Sequence, residues 1–387
     1  NCDIKRYKLN NRVMLADNNL PREYDHWMLK EIMEQPLCIN QALNNGGRIS
    51  GNTSVKLGGL DTLKNQLEHV EHVILLGCGT SYHAGLWCLN QFKQYDIFNT
   101  VCCFDGAEFD ILDIPKKGKT AVILLSQSGE TKDLHRCIDI AKMYDLITIG
   151  VVNVHDSMIA RETDCGVYLN AGRENAVAST KSFTNQCVVL SMIAIWFSQV
   201  KGTYINKRKQ IVKDIMKLEY NVKATIENIH KQIKHIVQKI PSGSLFVLGK
   251  GECEAIAKEG ALKIKEVSYI HAEGYSSSAL KHGPFALIQH STPIIIIDVS
   301  KKYHDKNLNA CNETLSRDSL NIIITNTSAS YIKTGVPEEN IIVIENNETY
   351  NSLIANICIQ IISYYLSIKF DHNPDFPRNL AKVVTVE

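Results

Sequence analysis

Two short turns rich in hydroxyl side chains give the clearest chemical signal in the sequence. One contains Ser126, Gln127, Ser128 and Thr131, and the other contains Thr80 and Ser81. Each turn follows a predicted buried strand and precedes a predicted helix, so backbone N–H groups and neutral hydroxyls would face the same point. Neutral donors suit a phosphate monoester that must bind and then leave. These residues therefore predict phosphate binding, and the alternative is that they only cap helices.

A predicted helix further along the chain carries two carboxylates and a lysine. Glu259, Lys263 and Glu266 are four and three residues apart, which places them on one side of a long helix that we predict to start at Glu259. Small or apolar neighbours such as Gly260 and Ile264 indicate that this helix packs closely. A carboxylate fixed beside a cleft can move a proton between adjacent carbons. The alternative is an ion-pair ladder exposed to solvent.

A histidine and a lysine complete the set of residues that could take part in chemistry. His282 precedes Gly283-Pro284, which predicts a loop, and an imidazole there suits the transfer of a hydroxyl proton near neutral pH. The alternative is a purely structural turn. Lys382 lies in the C-terminal tail, where a solvated lysine is the default. The segment 171–186 is rich in small and hydroxyl residues and is predicted either to line a polar pocket or to be a loop.

The elements that would position these residues repeat in the order strand, turn, helix. Apolar segments bounded by turn residues predict strands over 72–77, 121–125, 146–152, 245–248, 294–299, 321–325 and 341–344. Helices are predicted to follow the two hydroxyl turns. This alternation predicts an α/β fold with a parallel sheet and helices on both of its faces. Because Gly249-Lys250-Gly251 mirrors Gly77-Cys78-Gly79, the second unit is interpreted as a distant duplicate of the first.

A chain of 387 residues suits two domains with extensions. The predicted divisions are an N-terminal extension over 1–60 with one helix around Trp27–Gln35, a first domain over 61–202, an amphipathic helical connector over 203–240, a second domain over 241–370 and a tail over 371–387 that is not a core element.

Composition limits the partners and the redox setting of the protein. Lysine and arginine total 42 against 41 acidic residues, which leaves no overall field to attract nucleic acid or an anionic membrane. The apolar runs Cys187–Phe197 and Ile354–Ile368 are predicted to be core helices and not membrane spans. The twelve cysteines lack disulfide or metal-site spacing, so we predict free thiols in a reducing cytosol. Because the chain opens on Asn1-Cys2, we interpret it as a piece of a longer protein.

Seven stretches, in order along the chain, resemble the glucosamine-6-phosphate synthases, whose isomerase half consists of two SIS (sugar isomerase) domains. They are Tyr24–Pro36, Gly77–Gly85 (GCGTSYHAG), Ser126–Thr131 (SQSGET), Ala178–Thr184 (ASTKSFT), Glu259–Glu266 (EGALKIKE), Leu280–Pro284 (LKHGP) and Pro377–Glu387 (PRNLAKVVTVE). The turn SQSGET alone would mark only a SIS domain, whereas the ordered set is specific. The resemblance implies two SIS domains, each with a five-stranded parallel sheet flanked by helices.

The resemblance also implies a role for each candidate residue. The hydroxyl turns would hold the phosphate of fructose 6-phosphate, and Val177 and Ser179 would contact the sugar. Lys382 would form a Schiff base at C2, and His282, reaching the site from the partner subunit of a homodimer, would open the ring. Glu266 would move a proton between C1 and C2, Lys263 would assist that transfer, and Glu259 would support the helix face. Ala279 replaces the glutamate usual in the family, which leaves the anchoring of the His282 loop open.

Further expectations concern partners and control. The resemblance implies no metal and no organic cofactor, a cytoplasmic enzyme, and ammonia supplied by a glutaminase domain that this sequence does not contain. It also implies a regulatory site for the nucleotide sugar UDP-N-acetylglucosamine, whose residues would be Arg48, Gly58, Gly59, Thr163 and Gly166. An inter-domain surface is the alternative interpretation of that region. A non-catalytic SIS module that senses a sugar phosphate is the alternative for the whole chain.

Overall fold

The computed structural model describes residues 23–382, so Cys2 and the end of the last motif lie outside the described residues. An N-terminal segment of short elements comes first. It contains helices α1 (Trp27–Met33), α2 (Gln35–Ala42), α3 (Gly58–Asp61) and α4 (Lys64–Leu67), with a small antiparallel pair formed by β1 (Ile49–Ser50) and β2 (Ser54–Val55). The one helix predicted here is in fact two, α1 and α2.

The first large sheet has five parallel strands in the order β4-β3-β5-β6-β7. Its strands are β3 (Val70–Gly77), β4 (Thr100–Asp105), β5 (Lys119–Ser126), β6 (Ile147–Val152) and β7 (Cys165–Tyr168). The helices are α5 (Thr80–Lys93), α6 (Lys132–Met143), α7 (Met158–Glu162) and α8 (Lys181–Val200). The chain leaves β3 towards one edge for β4 and returns to the other side for β5. The carboxyl ends of β3 and β5 therefore flank a crevice, which is where open α/β sheets bind ligands.

A single 35-residue helix, α9 (Ile205–Lys239), leads from the first sheet to the second. Its isoleucine and valine face is buried, as Val222, Ile229 and Ile236 show, while Lys213 and Lys223 are exposed. The amphipathic pattern therefore places a packed face against the protein and a lysine face in solvent.

The second large sheet repeats the first, with parallel strands in the order β12-β11-β10-β8-β9. Its strands are β8 (Ser244–Gly249), β9 (His271–Ser276), β10 (Pro293–Asp298), β11 (Leu320–Thr325) and β12 (Ile341–Val343). The helices are α10 (Glu252–Ser268), α11 (His304–Leu315), α12 (Ala329–Lys333) and α13 (Asn351–Lys369). Short 3-10 segments lie at Ile111–Asp113, Ala279–His282, Pro284–Leu287, Lys301–Tyr303 and Glu338–Asn340. The predicted α/β class with two parallel five-stranded sheets is confirmed.

Three local predictions about the core have clear outcomes. In the most apolar stretch of each of the helices α8 and α13, 89% of the residues are buried, which confirms them as core helices. The prediction that the long helix starts at Glu259 is wrong, because α10 begins seven residues earlier at Glu252. The tail is not wholly outside the core: Asp375 is buried and accepts hydrogen bonds from the N–H groups of Trp27 and Met28, where α1 begins.

All eleven cysteines of the described part of the chain are free thiols.

Candidate functional site

The turn after β5 is shaped by its own hydroxyl groups. Ser126 Oγ lies 2.9 Å from Thr131 Oγ1 and accepts a hydrogen bond from the N–H of Gly129. Ser128 Oγ accepts one from the N–H of Glu130 at 3.1 Å. Gly129 has φ +70°, and a Cβ there would lie 2.0 Å from Ser157 Oγ, so only glycine fits. The turn thereby leads directly into α6, so the hydroxyl groups lie at the N-terminus of that helix.

The second hydroxyl pair lies across the crevice, at the start of α5. Ser81 Oγ accepts a hydrogen bond of 2.8 Å from Gln186 Nε2 on α8. Thr80 Oγ1 donates to Glu259 Oε1 on α10 at 3.2 Å. Because β3 and β5 are paired neighbours, the two hydroxyl turns flank one crevice at the same edge of the sheet. Thr80 also joins this crevice to the second domain.

The helix face of Glu259, Lys263 and Glu266 is packed inside the protein. Lys263 Nζ lies 2.5 Å from Glu266 Oε2 and 3.6 Å from Glu259 Oε1, and His83 Nδ1 lies 2.8 Å from Glu259 Oε2. The side chains of Glu259 and Lys263 are 0% and 1% exposed, whereas that of Glu266 is 19% exposed. The alternative of a solvent-exposed ladder is therefore wrong. Among the three, Glu266 is the group that a substrate can reach.

Burial and charge act in opposite directions on Lys263. Burial lowers the pKa of its ammonium group, but the carboxylates of Glu266 and Glu259 outweigh that effect, and the net pKa is raised. Lys263 therefore stays protonated, and its single positive charge attracts the carboxylates of both Glu259 and Glu266. The arrangement gives Glu266 a fixed position, which a proton-transferring carboxylate needs.

Lys382 reaches the same edge of the first sheet from the tail. Its Nζ lies 2.6 Å from Glu174 Oε2 and 3.4 Å from Ser179 Oγ, and Ser179 Oγ itself donates to Glu174 Oε2 at 3.0 Å. The other oxygen, Oε1, accepts the N–H groups of Thr180 and Ser182. Composition alone would suggest a solvated lysine, but the structure pairs Lys382, whose side chain is 20% exposed, with the buried carboxylate of Glu174.

Two buried carboxyl groups near Lys382 differ in charge, because their surroundings shift their pKa values in opposite directions. Burial raises the pKa of Glu174, but Lys382 and the N–H groups of Thr180 and Ser182 outweigh it and lower the pKa to about 2. Burial and then the charge of Glu174 raise the pKa of Glu31 to about 8. Glu31 accepts the Asn175 N–H through Oε1. At neutral pH Glu174 is ionised beside the lysine and Glu31 carries a proton.

The loop between β7 and α8 connects the lysine with the phosphate turn. The N–H of Val177 donates to the carbonyl of Asp375 at 3.0 Å, which ties this loop to the tail that carries Lys382. A polar cavity of about 680 Å³ is lined by residues that include Gln127 of the phosphate turn and Glu174. Of the predicted site residues, the structure thus gathers the hydroxyl turns, the helix face and Lys382 around the first sheet.

His282 is not gathered with them. It is exposed at the end of a 3-10 segment, and within residues 23–382 no hydrogen bond or ion pair joins it to the helix face. Lys281 beside it forms an ion pair of 2.5 Å with Glu313, and the guanidinium of Arg317 stacks on Phe285 at 3.9 Å. These contacts anchor the loop without the glutamate that Ala279 replaces.

The five residues predicted for nucleotide-sugar control cluster around the edge strand β7. The guanidinium of Arg48 donates to the carbonyls of Ala42 and Tyr168 at 2.7 and 2.8 Å. Thr163 Oγ1 donates to the carbonyl of Ile159 at 2.9 Å. Gly58 and Gly59 begin α3, and a Cβ on Gly59 would lie 2.0 Å from the Gly166 carbonyl. The residues lie together, and each polar side chain also has a structural bond.

Sequence reasoning missed Glu174, Glu31 and His83 as site residues. Glu174 lies inside the segment 171–186 that was predicted to line a pocket or form a loop, but its partner Lys382 is 208 positions away. His83 lies inside the motif GCGTSYHAG and contacts Glu259 across 176 positions. A charged residue within a stretch of small residues was the only available signal.

Comparisons with known proteins show which family this chain resembles. The SIS domain model matches residues 66–196 and 240–369. A protein of Acanthamoeba polyphaga mimivirus named "Probable glutamine--fructose-6-phosphate aminotransferase (isomerizing)" is 42% identical over 379 residues, which is 95% of this chain and 59% of the relative. The enzyme of that name from Clostridium acetobutylicum is 34% identical over 94% of this chain and 59% of its own length.

A solved structure covers the same region. The C-terminal domain of glucosamine-fructose-6-phosphate aminotransferase from Francisella tularensis superposes with a TM-score of 0.84 at 28% identity, covering 92% of this chain and 99% of that one. The chain spans 59% of the length of the two curated relatives above, and it covers nearly all of the solved C-terminal domain. The resemblance read from the motifs is confirmed. With two matched repeats and two parallel sheets of the same order, the chain belongs to the SIS domain family.

Proposed function

We propose that this chain binds fructose 6-phosphate and converts it to glucosamine 6-phosphate, as the isomerase half of a glutamine–fructose-6-phosphate aminotransferase. One observation carries the proposal: a carboxylate–lysine cluster from the second domain contacts Thr80 at the phosphate crevice of the first, while Lys382 meets Ser179 at the same sheet edge. In the proposed roles, these contacts would bring a phosphate site, a proton-transfer group and an amine nucleophile to one place.

The phosphate would lie between the hydroxyl turns. Ser126, Ser128, Thr131, Thr80 and Ser81 offer hydroxyls, Gln127 offers an amide, and the first turns of α5 and α6 offer N–H groups. These donors are neutral, so affinity comes from directed hydrogen bonds and the helix dipole and not from a cation clamp.

Lys382 would act as the nucleophile. Its amine, after losing a proton, adds to the C2 carbonyl of the open-chain sugar, and water leaves to give an imine. Ammonia then displaces the lysine and leaves a fructosimine. The Glu174 carboxylate, fixed by two backbone N–H groups, holds the lysine next to Ser179 before the substrate arrives.

Glu266 would carry out the isomerisation. Its carboxylate removes a proton from C1 of the fructosimine and returns one to C2, while the C1 hydroxyl loses its proton and the imine nitrogen gains one, which gives the aldose with its amino group at C2. Lys263, held protonated between Glu259 and Glu266, would stabilise the negative charge that develops on the sugar oxygen.

Trapping with borohydride tests the imine. The chain is incubated with fructose 6-phosphate and borohydride, digested, and analysed by peptide mass spectrometry. The expected adduct lies on Lys382 and is lost in Lys382→Arg, because a guanidinium does not form this imine at neutral pH. A sugar adduct on another lysine, or none while turnover continues, would rule out the proposed nucleophile. A sugar-phosphate sensor, the alternative from another class, would bind the sugar and form no adduct.

We further propose that ammonia comes from a glutaminase domain, the remaining part of the longer relatives. This chain is expected to use ammonium and not glutamine, because no glutaminase motif is recognisable in its sequence. Incubation with glutamine and fructose 6-phosphate should release no glutamate. Glutamate release by the purified chain would contradict this.

We also propose a homodimer in which His282 of one subunit serves the site of the other, since His282 lies exposed and apart from Glu266. Glu266→Gln and His282→Asn would each be nearly inactive as pure dimers. Random mixing makes about half of the dimers heterodimers, each with one intact site of two, so about a quarter of the wild-type activity should return. No recovery on mixing would mean that each site is built from one chain.

Two finer proposals concern control and location. UDP-N-acetylglucosamine is proposed to bind around β7 through Arg48, which donates to the carbonyl of Tyr168, and Thr163, which donates to the carbonyl of Ile159. Calorimetric titration should detect binding that Arg48→Ala weakens; no binding at millimolar nucleotide would end the proposal. The protein is proposed to be cytoplasmic, which fractionation of its host cell would test.

A further inference from the structure

The carboxyl edge of the second sheet carries a second group of reactive side chains. Asp298 is the last residue of β10, His304 is the first residue of α11, and Ser330 lies in the first turn of α12 after β11. Strand ends at this edge are where α/β sheets place their chemistry. None of these three residues belongs to the sugar site described above.

Their contacts form a continuous chain from carboxylate to imidazole to hydroxyl. Asp298 Oδ2 lies 2.6 Å from His304 Nδ1, and His304 Nε2 lies 3.1 Å from Ser330 Oγ. The aspartate side chain is 2% exposed and the histidine 28% exposed. The buried Asp298 therefore corresponds to the acid of a Ser-His-Asp triad, and the more accessible His304 corresponds to the base.

The remaining partners of Asp298 determine which imidazole nitrogen carries the proton. Its Oδ2 also accepts the hydroxyl proton of Tyr331 at 2.8 Å, and Oδ1 accepts the amide of Asn307 at 2.8 Å. A carboxylate with these donors can only accept from His304, so Nδ1 holds the proton. In the neutral ring, Nε2 is then unprotonated and accepts the hydroxyl proton of Ser330.

The space next to this chain differs from the crevice of the first domain. In the second sheet, the position that corresponds to the open crevice beside Gly79 is filled: a Cβ on Gly251 would lie 2.3 Å from the ring of Tyr303, whereas one on Gly79 would meet nothing within 4 Å. The open space in the second domain is instead a cavity of about 200 Å³ at the ends of β10 and β11. Asp298, Ser300, Lys301, His304, Asn326 and Thr327 line it.

We propose that Asp298, His304 and Ser330 form a second catalytic site, which transfers the acyl group of a small carboxylic ester. Ser330 Oγ attacks the ester carbonyl and passes its proton to His304 Nε2. The alcohol leaves with that proton, and the acyl group stays on Ser330. A water molecule, deprotonated by His304, then releases the acid and restores the hydroxyl. The three residues occur along the chain in the order acid, base, nucleophile. This order does not affect the proposal, because such triads are recognised by their geometry and not by their sequence order.

The cavity favours a small acyl group. Its volume is about 200 Å³, and His304, which contacts Ser330, is one of the residues that line it. An acetyl or similarly short acyl group suits this space better than a long-chain lipid ester does. We therefore expect activity on p-nitrophenyl acetate and none on the corresponding long-chain ester.

An alkyl fluorophosphonate probe tests the serine directly, because an activated serine displaces fluoride from phosphorus and keeps the label. The whole chain is labelled, digested and sequenced by mass spectrometry, beside three variants. Ser330→Ala removes the nucleophile and His304→Gln removes the base but keeps a hydrogen-bonding side chain of similar length. Ser328→Ala is the matched control, since Ser328 precedes α12 and caps it without a side-chain hydrogen bond. Melting curves confirm that each variant is folded.

The expected result is a label on Ser330 that Ser330→Ala abolishes and Ser328→Ala leaves unchanged. In His304→Gln the labelling rate should fall at least about a hundredfold, as loss of a general base does. Hydrolysis of p-nitrophenyl acetate should follow the same order. Absence of the label at probe levels that modify a known serine esterase would overturn the proposal, as would a label equally fast in His304→Gln. A label on a different serine would overturn it too. Isomerisation of fructose 6-phosphate should be unchanged in Ser330→Ala.

Discussion

Replacing Glu174 by Gln removes the negative charge under Lys382 and almost nothing else. Glutamine has the same shape, but its amide must face either the backbone N–H groups of Thr180 and Ser182 or the ammonium of Lys382. In both orientations a donor meets a donor. Buried donors left without an acceptor destabilise the folded state.

The pKa of Glu174 gives the size of the effect. Lys382 and the backbone donors lower the pKa from 4.5 to about 2, and each pKa unit corresponds to about 1.4 kcal/mol, so the ionised carboxylate stabilises the fold by about 3 kcal/mol at neutral pH. Because the folded pKa is the lower one, this stabilisation is complete above the unfolded pKa and is lost as pH falls from about 4.5 towards 2. Near pH 3 about two fifths of it should remain.

Urea denaturation of the wild type and Glu174→Gln at pH 7 and pH 3 measures the difference in unfolding free energy. Glu162→Gln is the matched control: Glu162 also pairs with a lysine, at 3.0 Å, but its side chain is 37% exposed. An exposed pair contributes less than about 1 kcal/mol. Equal losses in the two variants, or a Glu174 effect that is the same at both pH values, would refute the electrostatic reasoning.

Three further variants test other parts of the site. Lys263→Met should lower the unfolding free energy by about 3–5 kcal/mol, because it removes the buried cation that Glu259 and Glu266 share, whereas Lys142→Met, in an exposed pair, should stay within about 1 kcal/mol; similar losses would contradict this. Glu31→Gln should gain stability relative to the wild type by about 1.4 kcal/mol per pH unit between 4.5 and 8, since the raised pKa makes the wild type less stable as pH rises through that range; a pH-independent difference in denaturation would count against it. Gly129→Ala should weaken fructose 6-phosphate binding in calorimetry, and Gly172→Ala, with φ +67° and nothing near its Cβ, should not.

The central strands and one edge strand, Ile341–Val343, could be predicted from the sequence, and the other three edge strands could not. Pro293–Asp298 and Lys119–Ser126 are buried along nearly their whole length and therefore appear as continuous apolar runs. The edge strands Thr100–Asp105 and His271–Ser276 have one side in solvent and mix polar with apolar residues, so the same pattern is absent. Edge strands depend on pairing with neighbours that a local window does not contain.

The site divides in the same way between local and distant information. Glu259, Lys263 and Glu266 lie within one helix, so their spacing placed them on one face. Small and apolar neighbours indicated that the helix packs closely, but the extent to which each of these three side chains is buried could not be predicted, because it depends on packing against other helices. The pairing of Glu174 with Lys382 joins residues 208 positions apart, and the capping of α1 by Asp375 joins residues 348 apart. The position of His282 is also a tertiary property, and in the proposed function it depends on a second subunit.

The most direct test of the proposed function is to follow the product formed from fructose 6-phosphate by the wild-type chain and by Glu266→Gln. The wild type should form glucose 6-phosphate slowly without ammonium, and glucosamine 6-phosphate when ammonium is present. Glu266→Gln should stay folded, bind the sugar phosphate, and lose about a hundredfold or more of both activities, because it keeps the shape and removes the base. Full activity in Glu266→Gln, or no turnover by the folded wild-type protein with ammonium, would contradict the account.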